Sequence, residues 1–265
     1  MSDGGVSQEF TRAQVLAMEL AAARAWPAVA TVDIDGWTCR CSGGGTRRAN
    51  SVLPLTFAGA DADVAIARVE ALYAARGQRA YFQVSAIAAP ADLDDRLARR
   101  GYAFEEPVLL LAKNLTGGDA SPTMADVEVS AAPSAEWLAI YAASIDAARR
   151  DALAATLARV PDKRGFFVVR RDGLALASAL CVISPDGIAI VECVATDAAR
   201  RRSGAAQLAM TALESWAATN GAGAAALQVV ETNTAARALY DGRGYRLAGR
   251  YHYRWREVQT VGRRP

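Results

Sequence analysis

The chain has 265 residues, of which 52% are hydrophobic and 22% charged, the balance of a soluble globular protein with one large or two small domains. Its formal net charge of +2 argues against a general nucleic-acid binder, and no apolar run reaches the roughly 18–20 residues that a membrane helix requires. The first residues lack a basic segment followed by an apolar one, so we expect a cytoplasmic protein without a nucleic-acid or membrane partner.

Helical and strand-like patterns follow one another through the first half of the chain. Residues 11–26 predict a helix that Thr11 caps and Pro27 ends. A glycine turn at 43–45 separates two strand-like segments. The predicted elements up to residue 112 are strands within 30–43 and 50–57, a helix at 61–76, a strand at 80–85, a helix at 90–100 and a strand at 106–112.

Residues 114–126 are rich in Gly, Ser, Pro and Asp and resemble a linker, which predicts domains at 1–118 and 119–265. Strands and helices alternate again beyond it, which indicates an α/β (α+β) fold with helices on both faces of a mixed sheet. The predicted elements are a strand at 127–131, helices at 134–145 and 146–159, strands at 166–171, 174–184 and 188–196, a helix at 203–219, a strand at 224–230, a helix at 233–243 and strands within 245–257.

The two halves share a faint internal repeat. Residues 69–84 are similar to residues 213–229, and residues 97–102 to residues 240–245. Both segments give a helix, a glycine, a strand ending in Gln-Val, a helix, Gly-Tyr and a strand. We therefore expect the first half to be a degenerate copy of the second.

The four cysteines, Cys39, Cys41, Cys181 and Cys193, include no C-x-x-C pair, and the single histidine, His252, is distant from all of them in sequence. A zinc site needs three or four ligands, which this set barely supplies. Free cysteines are common as small buried side chains. We therefore expect neither a metal nor a disulfide.

The segment from 191 to 210 carries the first chemical signal. An apolar strand leads into a turn with three arginines at 200–202, then Ser203 and Gly204, and then an alanine-rich helix. The first amides of a helix have no partner within it and favour an anion, which glycine allows to approach closely. Alone, this pattern is typical of many turns.

The segment from 227 to 245 carries the second signal. Asn233 is a suitable cap for a helix that has Ala236 and Tyr240 on one face, and Gly244-Tyr245 follow it. From spacing alone, Tyr240 either packs in the core or presents its hydroxyl group to a cleft.

Together the two segments resemble the GNAT superfamily of N-acetyltransferases. The phosphate-loop pattern of that family, Gln/Arg-x-x-Gly-x-Gly/Ala, is matched by Arg201, Gly204 and Ala206. Its second pattern, Asn-x-x-Ala-x-x-Leu-Tyr-x-x-x-Gly-Phe/Tyr, is matched from residue 233 to residue 245. Ala198 stands where the family often has proline. The resemblance implies a GNAT fold from about residue 125, with a degenerate GNAT-like half before it.

The resemblance also implies roles for individual residues toward acetyl-CoA, the expected co-substrate. Backbone groups at the end of a splayed strand would pair with the pantetheine arm, and loop amides would hold the pyrophosphate. A backbone N–H near Ala195 would stabilise the oxyanion. The implied cofactor-binding residues are Val194, Ala195, Thr196, Arg201, Arg202, Ser203, Gly204, Ala205, Ala206, Asn233, Ala236 and Tyr240.

For catalysis, the resemblance implies that Tyr240 protonates the departing thiolate. The attacking amine must also lose a proton, and Glu192 is the best placed carboxylate because its strand leads to the cofactor loop. The alternatives for the general base are His252, Glu231 and water. Glu192 is otherwise a substrate-binding or structural acid.

The first half lacks the working residues, since Leu97 stands where Tyr240 stands in the second. Its expected role is to complete the sheet and wall the acceptor cleft, an arrangement that resembles tandem acetyltransferases such as mycothiol synthase. Residues 46–50 either reach into this cleft, where Arg47 and Arg48 would suit an acceptor carboxylate or phosphate, or form a solvated turn.

The sequence thus predicts an acetyl-CoA-dependent N-acetyltransferase that is a monomer or homodimer and acts on an amine of a small molecule or peptide. The alternatives are a non-catalytic acetyl-CoA-binding regulatory module and a protein N-terminal acetyltransferase of the ribosomal-protein alanine type. A nucleotide-binding protein is disfavoured because no G-x-x-x-x-G-K-[ST] run is present.

Overall fold

A computed structural model describes residues 10–115 and 126–258 of the protein. Its helices are α1 (Arg12–Ala25), α2 (Ala62–Ala74), α3 (Leu93–Arg99), α4 (Ala135–Ala143), α5 (Ala147–Leu157), α6 (Ala205–Thr219) and α7 (Thr234–Asp241). Its strands are β1 (Ala30–Ile34), β2 (Trp37–Cys41), β3 (Val52–Leu53), β4 (Ala80–Ser85), β5 (Ala103–Asn114), β6 (Val127–Ser130), β7 (Arg164–Arg171), β8 (Leu174–Ile183), β9 (Ile188–Thr196), β10 (Ala224–Val230) and β11 (Arg246–Arg256).

All of these strands form one mixed sheet in the order β1-β2-β3-β4-β11-β5-β10-β9-β8-β7-β6. The pairs β3–β4 and β9–β10 are parallel, and the other neighbours are antiparallel. The last strand, β11, lies between β4 and β5, and β5 in turn lies between β11 and β10. Each half of the chain therefore inserts a strand into the sheet of the other half. The predicted linker lies mostly outside the described residues.

Local sequence signals explain where several elements begin and end. Thr11 caps α1 through a capping box with Gln14, as the sequence predicts. The predicted strand at 30–43 is a hairpin, because Asp35 and Gly36 both take positive φ (51° and 89°) in the turn. The predicted strand at 50–57 is reduced to the two residues of β3, because Pro54 follows it and has no N–H to pair.

Helices cover both faces of the sheet and separate its core into clusters. Helices α6 and α7 bury one face of the second half, while α1, α4 and α5 bury the opposite face. Helices α2 and α3 pack on the strands of the first half. This layering confirms the predicted fold class. Within the described residues, no helix is long and apolar enough to cross a membrane.

The internal repeat has a structural counterpart at the end of α3 and of α7. The amide of Tyr102 donates to the carbonyl of Leu97 at 3.0 Å, and the amide of Tyr245 donates to the carbonyl of Tyr240 at 3.1 Å. Both aromatic residues are buried and both follow a glycine of positive φ. Leu97 is fully buried, so this position of the first half presents only an apolar side chain to the core.

A buried ion cluster joins the two halves beneath α6. Glu214 accepts two hydrogen bonds from Arg243, each 2.9 Å long, and one from Lys113 of β5, also 2.9 Å long. Glu214→Gln removes the charge but keeps the shape, and leaves two cations without a counter-ion. We expect the free energy of unfolding to fall by about 3 kcal/mol, the low end for a buried pair, because Lys113 remains 21% exposed.

Chemical denaturation of the purified protein measures this effect. The control is Asp241→Asn, which removes the carboxylate of an exposed pair with Arg246. We expect that variant to lose less than about 1 kcal/mol. Equal losses in the two variants would contradict a stabilising role for the buried cluster.

Candidate active site

The site begins where β9 and β10 separate. Their parallel register runs only from the pair Ala224↔Ile188 to the pair Leu227↔Val191, yet β9 continues to Thr196. Beyond Val191, β9 remains paired with β8, and β10 remains paired with β5. A gap therefore opens between two adjacent strands in the middle of the sheet, leaving an edge of β9 available to an extended ligand.

A β-bulge shapes β9 at the mouth of this gap. Cys193 has φ 55°, and the register with β8 shifts between the pairs Leu180↔Glu192 and Ser178↔Ala195. An inserted residue of this kind re-aims the side chains and amides that follow it. No glycine or proline marks the bulge in the sequence, which therefore gives no local signal for it.

The loop after β9 leads into the N-terminus of α6. Gly204 is the N-cap residue with φ 79°, and Arg202 also has positive φ, 64°. The first hydrogen bond of α6 joins the amide of Leu208 to the carbonyl of Gly204 at 3.1 Å, so the amides that precede Leu208 in the helix have no helical acceptor. The hydroxyl oxygen of Ser203 is buried and has no hydrogen-bond partner. These groups together suit an anion at the loop.

The structure thus brings one set of predicted cofactor residues together. All of them lie between the bulge and the first turn of α6: Val194, Ala195, Thr196, Arg201, Arg202, Ser203, Gly204, Ala205 and Ala206.

Helix α7 carries the remaining predicted cofactor residues. Asn233 caps this helix, and its side-chain oxygen accepts from the amide of Ala236 at 3.2 Å. This bond confirms the predicted cap. Ala236 packs against the core cluster beneath α6 and α7.

Tyr240, on the last turn of α7, is 8% exposed and contacts Tyr245 edge to face, with ring centroids 5.9 Å apart. Burial and, to a smaller extent, the negative charge of Glu192 together raise the pKa of Tyr240 to about 12. The phenol therefore keeps its proton at neutral pH. The charge of Glu192, whose strand borders the gap, thus acts on the phenol of Tyr240.

Glu192 forms an ion pair that the sequence analysis did not foresee. Its two carboxylate oxygens accept hydrogen bonds of 2.5 and 2.6 Å from the guanidinium group of Arg48, in the first half of the chain. Arg48 also donates to Gln228 of β10 at 3.1 Å, and the hydroxyl group of Tyr251 donates to the same oxygen at 3.2 Å. Of the two interpretations of residues 46–50, the structure therefore favours a loop that reaches the cleft.

The other two side chains considered as bases lie elsewhere. His252 contacts Asp94 of α3 through Nε2 at 2.7 Å and packs on the ring of Phe104. Neighbouring residues of a strand face opposite sides of the sheet, so His252 faces away from Tyr251 and from Glu192. Glu231 forms an ion pair with Arg250 at 3.3 Å.

All four cysteines are buried free thiols. In residues 10–115 and 126–258, no group of three or more His, Cys, Asp or Glu side chains is arranged to hold a metal ion. Burial raises the pKa of Cys193 well above its usual value, with a smaller contribution from Glu192, so this thiol stays protonated.

The sequence profile of the family described as "Probable histone acetyltransferase Rv0428c C-terminal" matches residues 12–254. The chain belongs to this acetyltransferase family. The probable histone acetyltransferase Rv0428c of Mycobacterium tuberculosis is 30% identical over 257 residues, which cover 94% of this chain and 76% of that protein. The uncharacterized N-acetyltransferase YobR of Bacillus subtilis is 28% identical over 245 residues, covering 89% and 96%.

Solved structures show the same fold. A GCN5-related N-acetyltransferase from Kribbella flavida superposes with a TM-score of 0.70 at 19% identity and covers 93% of this chain and 97% of its own. A tandem GNAT protein from the clavulanic acid biosynthesis pathway gives 0.65 at 11% identity, covering 96% and 92%. The predicted membership of the GNAT superfamily is confirmed, and the protein is an acyltransferase.

GNAT acetyltransferases use acetyl-CoA, and the described residues of this family member fit it. The gap beside β9 offers backbone groups to an extended arm, and the amides before Leu208 are available to phosphates. The unpartnered hydroxyl group of Ser203 lies in the same loop. A side chain at Gly204 would be strained at φ 79°, which keeps the backbone there open to a phosphate.

Proposed function

We propose that the protein transfers the acetyl group of acetyl-CoA to a primary amine of a small molecule or peptide by direct attack in a ternary complex. One observation carries this proposal. The opening between β9 and β10 has a carboxylate, Glu192, and a protonated phenol, Tyr240, close enough to interact electrostatically. A proton acceptor and a proton donor are the two groups that amide formation from a thioester needs.

The co-substrate would be held by the residues that the two sequence patterns identify. The edge of β9 at Val194 and Thr196 would pair with the pantetheine arm, and Asn233 and Ala236 would flank it. The pyrophosphate would lie on the loop and on the first amides of α6, with Arg201 and Arg202 beside it. When bound, acetyl-CoA supplies an activated acetyl group.

The chain's own groups would then move the protons. Glu192 accepts a proton from the amine directly or through water, and the amide of Ala195 stabilises the negative charge that develops on the acetyl oxygen. Tyr240 donates its proton to the sulfur as the thiol departs. The raised pKa of Tyr240 suits a donor that must remain protonated until that step.

The state of Cys193 supports direct attack over an acetylated enzyme. Cys193 is the cysteine nearest the gap, but it is buried, and burial raises its pKa well above the usual value. A thiol that stays protonated is a poor nucleophile.

A thiol-release assay with acetyl-CoA tests the activity. The amine panel should contain amino acids, simple alkylamines, aminoglycosides and a lysine-rich histone-tail peptide, the acceptor class in the name of the mycobacterial relative. We expect release of CoA that depends on one class of amine. Binding of acetyl-CoA without transfer to any of these amines would favour the non-catalytic alternative.

Binding of the co-substrate is tested by Gly204→Glu. At about 100 times its Kd, CoA should raise the Tm of the wild-type protein by roughly 5–10 °C, because a ligand of the folded state stabilises it by mass action. In the variant a carboxylate occupies the place proposed for the pyrophosphate, so we expect no shift.

The control is Gly101→Glu, because Gly101 has the same φ of 79° as Gly204, with open space around it, but lies after α3 in the first half. Both variants force a side chain into the left-handed region and should lower the Tm of the free protein similarly. Only Gly204→Glu should lose the response to CoA. A full shift in Gly204→Glu would refute the assignment of the loop.

A further inference from the structure

A braced loop of the first half carries Arg48 to Glu192. The indole N–H of Trp26 donates to the hydroxyl group of Thr46 at 2.9 Å, and the Arg48 guanidinium lies 5.8 Å from the Trp26 ring centroid. Asn50 donates to the carbonyl of Thr46 at 2.9 Å. Arg48 is 21% exposed and Glu192 7% exposed, so the pair is largely removed from solvent. This fixed support distinguishes it from an incidental surface contact.

The charges around this pair do not balance. Arg47 is matched by Glu105 at 2.5 Å, and Arg48 is matched by Glu192. Arg40 is 4% exposed and belongs to none of the ion pairs of the described residues. Its guanidinium donates instead to neutral groups, the hydroxyl and carbonyl of Ser51 and the side chain of Gln83.

Glu19 supplies only part of the missing charge at neutral pH. It lies near Arg40, but burial raises its pKa to about 7, and one of its oxygens has no hydrogen-bond partner. The buried cation Arg40, near Arg48, is therefore only partly balanced by negative charge at neutral pH, and an anion bound beside it would be favoured.

Arg48 competes with an incoming ammonium group for Glu192, because its guanidinium group donates to both carboxylate oxygens and leaves only their second lone pairs free. Arg48, if released, would be a partly buried cation without a counter-ion, which is unfavourable. A second carboxylate that takes the place of Glu192 on Arg48 would remove both costs and so favour productive binding of an amine.

We propose that the acceptor is an amine that itself carries a carboxylate, and that this carboxylate binds Arg48 and so releases Glu192 to accept the amine proton. The proposal rests on the acetyl transfer proposed above and names its substrate class. It makes Arg48 a specificity-determining residue supplied by the half of the chain that lacks the catalytic pattern.

The spacing of the pair restricts the acceptor further. If Glu192 stays near its present position when displaced, a carboxylate on Arg48 and an amine at Glu192 are separated by about 6 Å, roughly two hydrogen-bond lengths. An α- or β-amino acid meets this limit. The ε-amine of a lysine side chain, whose own carboxylate is several carbons distant, does not in its extended form.

The transfer balances with the groups present. Glu192 takes one proton from the ammonium group, and the amine nitrogen bonds to the acetyl carbonyl carbon. The carbon–sulfur bond then breaks, and Tyr240 donates its proton to the sulfur. The nitrogen still carries one extra proton, and transfer of that proton to Tyr240 restores the phenol. The products are an N-acetylated acid, the free thiol and one proton that Glu192 releases to solvent.

The test compares each α-amino acid of a panel with its own amide, which retains the amine but lacks the carboxylate. Initial rates of thiol release give kcat/KM for each member of a pair. We expect kcat/KM of the acid to exceed that of the amide by about 10- to 100-fold, the usual value of a charge-assisted hydrogen-bonded pair. This difference should appear even though the amine of the amide loses its proton more easily. Equal values for acid and amide in the wild-type protein would overturn the proposal.

Arg48→Met should reduce this ratio to within about threefold, because the loss of kcat/KM falls on the acid far more than on the amide. Arg68→Met is the matched control, since Arg68 forms a pair of 2.8 Å contacts with Asp35 at an exposed site of the same half. We expect the control to retain the wild-type ratio. Equal losses for acid and amide in Arg48→Met would show a merely structural ion pair and contradict the proposal.

Calorimetry tests the carboxylate site by binding alone, without turnover, and compares two variants of Arg48. An N-acetylated amino acid, which has the carboxylate but no free amine, is titrated into the protein saturated with CoA. Its Kd should rise at least tenfold in Arg48→Met and less in Arg48→Lys, which keeps the charge but not the two-point contact. If no amine in the panel is acetylated, the proposed transfer fails, and an unchanged Kd in this titration would independently refute the carboxylate site.

Discussion

Tyr240→Phe is expected to lower kcat by about 10²–10⁴-fold while the Kd of acetyl-CoA stays nearly unchanged. The substitution removes only the hydroxyl group proposed to protonate the departing sulfur, and positioned acid–base catalysis is usually worth that factor. Rapid-quench or steady-state kinetics measure the change in kcat, and calorimetry measures the Kd. Because the pKa of Tyr240 is raised to about 12, the phenol stays protonated below about pH 11. The wild-type protein and Tyr240→Phe should therefore show the same shape of rate against pH in that range.

The control for this variant is Tyr245→Phe. Tyr245 lies in the same cluster, its ring contacts Tyr240, and its hydroxyl group is buried without a hydrogen-bond partner. Loss of that hydroxyl group should leave kcat within about twofold of the wild-type value. A Tyr240→Phe variant whose loss appears only in KM would mean that the hydroxyl group binds substrate and donates no proton.

Glu192→Gln is the second change with a large expected effect. It removes the carboxylate proposed to accept the amine proton, so kcat/KM should fall by about 10²–10⁴-fold at neutral pH. The remaining activity should also rise less steeply with pH, because deprotonation of the amine then depends on solvent. A pH series of kcat/KM from pH 6 to pH 9 measures both effects.

The comparison variants are Glu231→Gln and His252→Asn. Glu231 forms an ion pair with Arg250, and His252 faces the opposite side of the sheet, beside Asp94. Neither should change the profile. A wild-type profile in Glu192→Gln together with a flattened one in either comparison variant would move the base to that residue.

The sequence was sufficient to predict the elements that carry strong local signals. Beta-strand β4 and helix α6 are where periodicity, glycine and the caps place them, and Asn233 caps α7 as its spacing indicates. These features depend on neighbours within a few residues. The two spaced patterns identify the family for the same reason, because each pattern describes a single strand-to-helix connection.

The interactions that the sequence could not predict are all long-range. Arg48 and Glu192 are 144 residues apart, and nothing near either residue indicates the other. The bulge at Cys193 has no local signal, since its residue type is typical of an ordinary strand. The insertion of β11 between β4 and β5 depends on pairing across the whole chain, whereas the sequence patterns suggested two units in series.

This strand insertion affects how the protein is made. As the chain leaves the ribosome, β5 emerges long before either of its neighbours, β10 and β11. One edge of β4 also remains unpaired until β11 has been made. Until residue 256 has been synthesised, the first half cannot complete its sheet, and its unpaired edges are open to other chains. Completion of the sheet therefore follows synthesis of β11, and until then the unpaired edges of β4 and β5 are the places where a nascent chain is most open to aggregation.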